Sequence, residues 1–308
     1  MSKVTKIILG AGAFLVMSGG LLALTGWATG ADTQAMGVGH SGSGSMAGAS
    51  EHAPQPPVDQ GSQTGMDLEP FSKVDIDIDL GEIVILSGDT YGVSLDWSGN
   101  RYRLTYETEG DTLTVRGAGG AGINLAGQTA SVCVYVPQDA ALEEVDAHTS
   151  LGDIDFSGVS ARKAELSDDL GNISGYDFTV EELSVKCSLG DVSLWEASAG
   201  TAKITSSMGD VDTGEFTTAS SLTVEADLGG VNLQGDFQGE TDVEASMGDV
   251  TLTLVRPESA YSYDLEADMG ALRVNGEVLR RGAGESGGPN TLSVETSMGD
   301  IDLWFGGD

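Results

Sequence analysis

The sequence predicts an all-β chain: a single-stranded parallel β-helix, or β-solenoid, of ~19-residue coils, preceded by one N-terminal transmembrane helix and a flexible linker. Three observations carry this. A Leu/Met-Gly-x-Ile/Val/Leu motif recurs at near-constant spacing, apolar residues alternate with period two before each motif, and residues 7–28 contain no charged side chain.

Residues 1–6 carry Lys3 and Lys6 and are expected in the cytoplasm. Residues 7–28 are 22 uncharged positions, and about 20 apolar residues suffice for a helix to cross a hydrocarbon core. Asp32 follows them, so the charge asymmetry orients the N-terminus inward and the remainder outward. Trp27 falls at the outer interface, where indole is favoured. A cleaved signal peptide is the alternative, but its apolar region runs only about 7–15 residues and ends in a small-x-small site. Here the run is longer, and Ala28-Thr29-Gly30 is a mediocre site. Both readings export the rest of the chain: a single-pass protein of the cell membrane with an extracellular C-terminal domain, or a secreted one.

Residues 29–65 are rich in Gly, Ser, Ala, Pro and Gln and lack a periodic apolar pattern, as a disordered linker does. Met36, His40, Met46 and His52 are soft-metal ligand types within it, but their scatter reads more simply as low complexity.

Residues 66–144 are expected to form an N-terminal cap and the first coils. Val74, Ile76, Ile78 and Leu80 alternate up to Gly81, and Ile83 and Ile85 resume after it. Turn signals such as Ser98-Gly99-Asn100 and Glu109-Gly110-Asp111 then separate further short strands.

Residues 145–305 hold the repeat. Its corner glycines are Gly152, Gly171, Gly190, Gly209, Gly229, Gly248, Gly270 and Gly299, with Gly81 as an earlier copy; from Gly152 on, successive spacings are 19, 19, 19, 20, 19, 22 and 29. Leu183, Val185, Cys187 and Leu189 alternate as an inward face, and Val192 and Leu194 resume it with parity broken, so the chain bends at the Gly-Asp pair. A third inward column is expected at Val159, Phe178, Ala197, Phe216, Phe237, Val255 and Val278. Nineteen residues are too few for a strand–helix–strand unit of about 30 or more, but they suit one coil of stacked strands. Thr149, Cys187, Ser206, Ala226, Ala245, Ala267 and Thr296 form a column of small residues, and Asp168 is its exception. The longest gap carries Arg280-Arg281 and is expected to protrude as a loop; the last strand, with Trp304 and Phe305, is expected to leave an open edge for end-to-end pairing.

The order of these features resembles the bacterial putative-adhesin family of β-strand-repeat proteins (LiaG-like), a domain of unknown function. The resemblance spans 66–305 and rests on Val132-Cys133-Val134-Tyr135-Val136-Pro137, Thr149-Ser150-Leu151-Gly152-Asp153-Ile154 and Ser297-Met298-Gly299-Asp300-Ile301. It implies an exported or membrane-anchored protein, in some members an accessory of cell-envelope stress systems, and brings no catalytic residues. This chain differs in placing Leu or Met where many members have Ser or Phe before the glycine.

Composition narrows the function. With 48 Asp+Glu against 14 Lys+Arg the net charge is −34, which excludes nucleic acid as a partner. Only Lys3, Lys6, Asp32, Glu51 and Asp59 precede residue 66, so all but one of those net charges fall on the β-domain. Three histidines and no cluster of acid, base and oxyanion donors argue against an enzyme, including the polysaccharide-active enzymes that use parallel β-helices. Cys133 and Cys187 are expected as free thiols: they lie several coils apart and point to opposite faces. Asp153, Asp191, Asp210, Asp249 and Asp300 form a ladder of corner carboxylates, weak candidates for Ca²⁺; the simpler reading has each Asp bonding its own turn. No catalytic or cofactor-binding residue is expected. The sequence therefore points to a membrane-anchored, non-enzymatic surface-binding module with a protein or glycan partner, or to an envelope stress accessory acting through a membrane or protein partner.

Overall fold

The computed structural model describes residues 60–99, 102–119, 128–279, 282–285 and 287–307. The membrane helix expected at 7–28 lies outside the described residues, as does most of the linker. Among the described residues no helix is long and apolar enough to cross a membrane.

The described residues are β-strands and turns, with one 3₁₀ turn, and wrap as a solenoid. In the repeat, each coil has a long strand, a glycine corner, a short strand and a second turn: Thr179–Leu189 is followed by Val192–Trp195, and Ser198–Met208 opens the next coil. Long strands pair in parallel with long strands and short with short, so Ile154, Ile173, Val192, Val211, Val231 and Val250 form one unbroken column. Nineteen residues thus return the chain to the same face one strand spacing, about 4.8 Å, further along. Where the spacing is 20, a register shift between Ala199 and Thr201 of the neighbouring strand absorbs the extra residue.

The core runs the length of the stack. One long-strand column reads Val145, Ala164, Leu183, Ala202, Leu222 and alternates large with small, so neighbouring coils interdigitate. The next reads Ala147, Leu166, Val185, Ile204, Val224, Val243, and every member is buried. Each large side chain contributes about 1.5–3 kcal/mol once neighbouring coils cover it, so the repeats stabilise one another. On the third side Val159, Phe178, Ala197, Phe216 and Phe237 are buried as expected. Val255 and Val278 are exposed instead. Val255 leads into a 3₁₀ turn at Glu258–Ala260, and Val278 sits on a hairpin arm, Glu277–Leu279, so neither lies inside a coil. The core closes there with Phe305, whose ring lies 5.7 Å from that of Tyr261 and 5.6 Å from that of Tyr263.

Both ends depart from simple stacking. The Gly81 copy lies directly against the first repeat coil despite its distance in sequence: Lys73–Ile78 pairs with Ala141–Thr149, and Glu82–Gly88 with Ile154–Ser157. The chain between them builds the cap. Thr112–Gly119 pairs with Lys73–Ile78 and carries Tyr102–Glu109 antiparallel on its other edge. Thr129–Pro137 lies between Glu82–Gly88 and Gly92–Ser98. Gln60–Met66 adds an outer antiparallel strand to Gly92–Ser98, so the last residues of the expected linker belong to the sheet. An edge strand needs only backbone pairing, and Gly61 leaves room for the Trp97 ring against it.

At the other end the last strands turn back inward. Asn290–Met298 lies between Glu240–Met247 and Tyr261–Met269, and Ile301–Phe305 between Val250–Leu254 and Leu272–Val274. The strand holding Trp304 and Phe305 is therefore internal, contrary to the open edge expected. The gap expected to protrude contributes Gly282–Glu285, which pairs antiparallel with Tyr261–Met269 and covers the outermost long strand.

Candidate functional site

The corners are built around glycine. Gly81, Gly152, Gly171, Gly190, Gly209, Gly229, Gly248 and Gly299 have φ between +135° and +154°, a region closed to ordinary side chains. From Gly152 onward, an added Cβ would also collide with the carbonyl oxygen of the adjacent coil's corner glycine. Gly270 shares that close approach without the unusual φ.

The following residue forms a ladder between coils. Asp153 Oδ1 accepts the Asn172 N–H at 2.8 Å, Asn172 Oδ1 accepts Asp191 N–H at 2.9 Å, and Asp191 Oδ1 accepts Asp210 N–H at 2.8 Å. Asp210 continues to Gly230, Asp249 to Asp300, and Asp300 to Ala271. Each side chain thus satisfies a backbone donor of the next coil, where the sequence suggested a bond within its own turn. This explains Asp or Asn at the position: both are short acceptors. The carboxylates proposed for Ca²⁺ have this structural role, and among the described residues no group of three or more His, Cys, Asp or Glu could hold a metal ion.

The small column faces the same corners from inside. Thr149 Oγ1 donates to the Gly81 carbonyl at 3.1 Å, Ser206 Oγ to Gly209 at 3.3 Å, and Thr296 Oγ1 to Gly248 at 3.3 Å. Cys187 Sγ lies 3.4 and 3.2 Å from the carbonyl oxygens of Gly171 and Gly190. Smallness is common to the column, and Thr149, Cys187, Ser206 and Thr296 also supply donors to corner carbonyls, whereas Ala226, Ala245 and Ala267 do not. Asp168 stands between Thr149 and Cys187 in register and is 1 % exposed. Its Oδ1 accepts the Leu170 N–H at 3.0 Å, while Oδ2 is buried without a partner. Burial, with Asp153 and Asp169 nearby, pushes its carboxyl up to about 6. Burial also pushes the Cys187 thiol up to about 11, and neither cysteine is in a disulfide.

The basic side chains that pair do so mostly across coils. Arg256 grips Asp236 through Nε at 2.5 Å and Nη2 at 2.9 Å, holding that carboxyl below its usual value. Arg273 bridges Asp300 at 2.9 Å and Asp302 at 3.2 Å. Lys163 reaches Glu144, Lys203 reaches Glu225, and Arg116 pairs with Asp75.

One outer feature has no structural partner of this kind. Leu170, Leu189, Met208, Leu228, Met247 and Met298 stand in register on consecutive coils, with Met269 beside Met298 at the end. They are 39–64 % exposed. The sequence reading placed Leu189 inward. The chain instead bends one residue earlier, so Cys187 is the last inward side chain and both Ser188 and Leu189 face out. An unvarying Leu or Met at an outward position was the signal available in the sequence, and strict alternation concealed it.

The family profile described as Toastrack DUF4097 matches residues 71–304. Similar solved structures include a "putative adhesin" from Bacteroides fragilis, 13 % identical, covering 80 % of this chain and 97 % of that one, with a TM-score of 0.44. A "putative lipid binding protein" from Parabacteroides distasonis is 10 % identical over 80 % and 97 %, with a TM-score of 0.40. A "putative adhesin" from Parabacteroides merdae is 8 % identical over 78 % and 95 %, with a TM-score of 0.32. No curated protein matches the chain. The profile covers most of the sequence and the corner repeat throughout, and the chain belongs to the Toastrack DUF4097 family of domains.

Proposed function

We propose that this protein is a membrane-anchored, extracellular, non-enzymatic binding module: a rigid solenoid displayed beyond a linker, acting as an adhesin or surface-binding domain. The observation that carries the reading is the ridge from Leu170 to Met269, a long apolar feature kept on the outside of an otherwise acidic rod. Single exposed apolar side chains are ordinary, but contiguous patches mark interaction sites. The uncharged stretch at 7–28 supplies the anchor, with Lys3 and Lys6 inside. The corner carboxylates and paired arginines hold coils together, and the exposed Leu/Met ridge beside those corners has no such structural task.

The test is location and attachment. Full-length protein should remain with membranes after carbonate extraction and be degraded by protease added to intact cells. Deletion of residues 7–28 should release it from the membrane fraction. Recovery of the intact chain in the protease-protected soluble fraction would overturn the reading.

A further inference from the structure

We propose that the Leu/Met ridge is the docking site for a basic amphipathic α-helix presented by a protein partner. The proposal rests on the binding-module reading and names its partner class.

Length and step favour a helix. Seven side chains in register, about 4.8 Å apart, make a ridge about 29 Å long. A helix of about 19 residues spans that length and turns its apolar stripe past each point every 5.4 Å, close to the step of the ridge. An extended strand places side chains on one face only every 6.8 Å or so, and falls out of step after two contacts. Methionine, which supplies the outer half of the ridge, adapts to imperfect register because its side chain is unbranched and flexible.

Charge selects the flanks of that helix. On one side the ridge is bordered by Asp169, Ser188, Ser207, Asp227, Ser246, Ser297 and Asp268. On the other run Asn172, Asp191, Asp210, Gly230, Asp249, Asp300 and Ala271. Neither border itself contains Lys, Arg or His, and among the described residues the one basic group paired to a border residue is Arg273, at Asp300 near the outer end. A helix with Leu on its apolar stripe and Lys or Arg beside it meets both the apolar ridge and the acidic borders. An anionic membrane would meet the same borders with like charge, and a second copy would set acidic border against acidic border.

The test uses full-length protein in zwitterionic nanodiscs with ¹³C-methyl-labelled methionine. It is titrated with a synthetic 19-residue Leu/Lys amphipathic peptide, with a scrambled peptide of equal composition as control. The expected result is a selective shift of the Met208, Met247, Met269 and Met298 methyl resonances. Affinity should fall at least tenfold for the scrambled peptide, and similarly for the Leu189→Ser/Met208→Ser variant, whose fold is checked by its melting temperature. Unmoved ridge methyls in the wild-type protein overturn the proposal, and so does equal binding of the scrambled peptide. Ridge shifts caused by anionic vesicles and not by the peptide would overturn it in favour of a membrane; shifts that grow with protein concentration alone would overturn it in favour of self-association. None of these outcomes depends on where the protein resides in the cell, so failure here is distinct from failure of the location test.

Discussion

Asp168 is the side chain whose replacement should stabilise this protein most. It occupies a position where neighbouring coils place Thr149, Cys187 and Ser206, each directed at a corner carbonyl. An ionised carboxylate has no hydrogen to donate there, and its Oδ2 is buried without a partner. The folded carboxyl is raised from 3.8 to about 6, chiefly by burial, with Asp153 and Asp169 adding and His148 opposing. Because the folded value lies above the unfolded one, its favourable contribution is complete below pH 3.8 and is lost as pH rises through 6. That interval corresponds to at most about 3 kcal/mol at 1.36 kcal/mol per pH unit. Asp168→Asn keeps the acceptor for the Leu170 N–H and adds an N–H₂ donor toward the corner. The variant should match wild type near pH 4 and exceed it by about 1–3 kcal/mol above pH 6.5, or about 2–4 °C in melting temperature per kcal/mol. Thermal melts of both proteins from pH 4 to 8 test this, with the difference between the curves cancelling the background from the other carboxylates. A difference that does not change with pH, or a less stable variant at pH 7.5, would refute the account of this site.

Other perturbations follow from the same geometry. Gly190→Ala places a Cβ at φ +143° and against the Gly171 carbonyl, and should cost at least about 3 kcal/mol by denaturant titration. Asn290→Leu removes the acceptor for Gly239 N–H at 2.9 Å and the donor to Ala260 O at 3.0 Å, leaving two groups of adjacent coils unpaired. It should cost about 2–4 kcal/mol, and an unchanged midpoint would refute the role assigned to Asn290. Asp210→Ala removes the acceptor for Gly230 N–H and should cost about 1 kcal/mol at an exposed corner. Truncation before Asn290 removes the strand between Glu240–Met247 and Tyr261–Met269 and the one between Val250–Leu254 and Leu272–Val274, and should produce aggregation, absent from the full chain, visible by light scattering.

The coil was legible because its constraints are local and recur. Corner glycines, period-two alternation and the small column each follow from the sterics of one coil, and repetition separates them from chance. The ends were not legible, because stacking order there is a long-range property. Nothing local to Asn290–Met298 states that it pairs with both Glu240–Met247 and Tyr261–Met269; the widened spacings of 22 and 29 show only that the chain detours. Val255 and Val278 failed for that reason, since extrapolating the column assumed another ordinary coil. Leu189 failed for a different one: two-residue alternation cannot say at which residue a corner begins, and a shift of one position turns a side chain from core to solvent. The carboxylate ladder was found as a column but misread in its bonding, because the sequence shows the spacing and not the donor.

The capped ends change what the acidity accomplishes. A stack of parallel strands has two edges with unpaired backbone groups, and these would join copies end to end. Charge repulsion opposes such joining, but added salt screens it beyond about 8 Å, and it leaves the unpaired N–H and C=O groups of an edge in place. The chain replaces those long parallel edges with shorter antiparallel ones. Gln60–Met66 and the hairpin Tyr102–Glu109/Thr112–Gly119 form the outer strands at one end, and Gly282–Glu285 with Glu277–Leu279 those at the other. Edge protection being supplied by these caps, the negative charge is free to act along the sides of the rod. There it borders the Leu/Met ridge that the described coils leave exposed, and it sets like charge against any anionic surface that approaches the ridge.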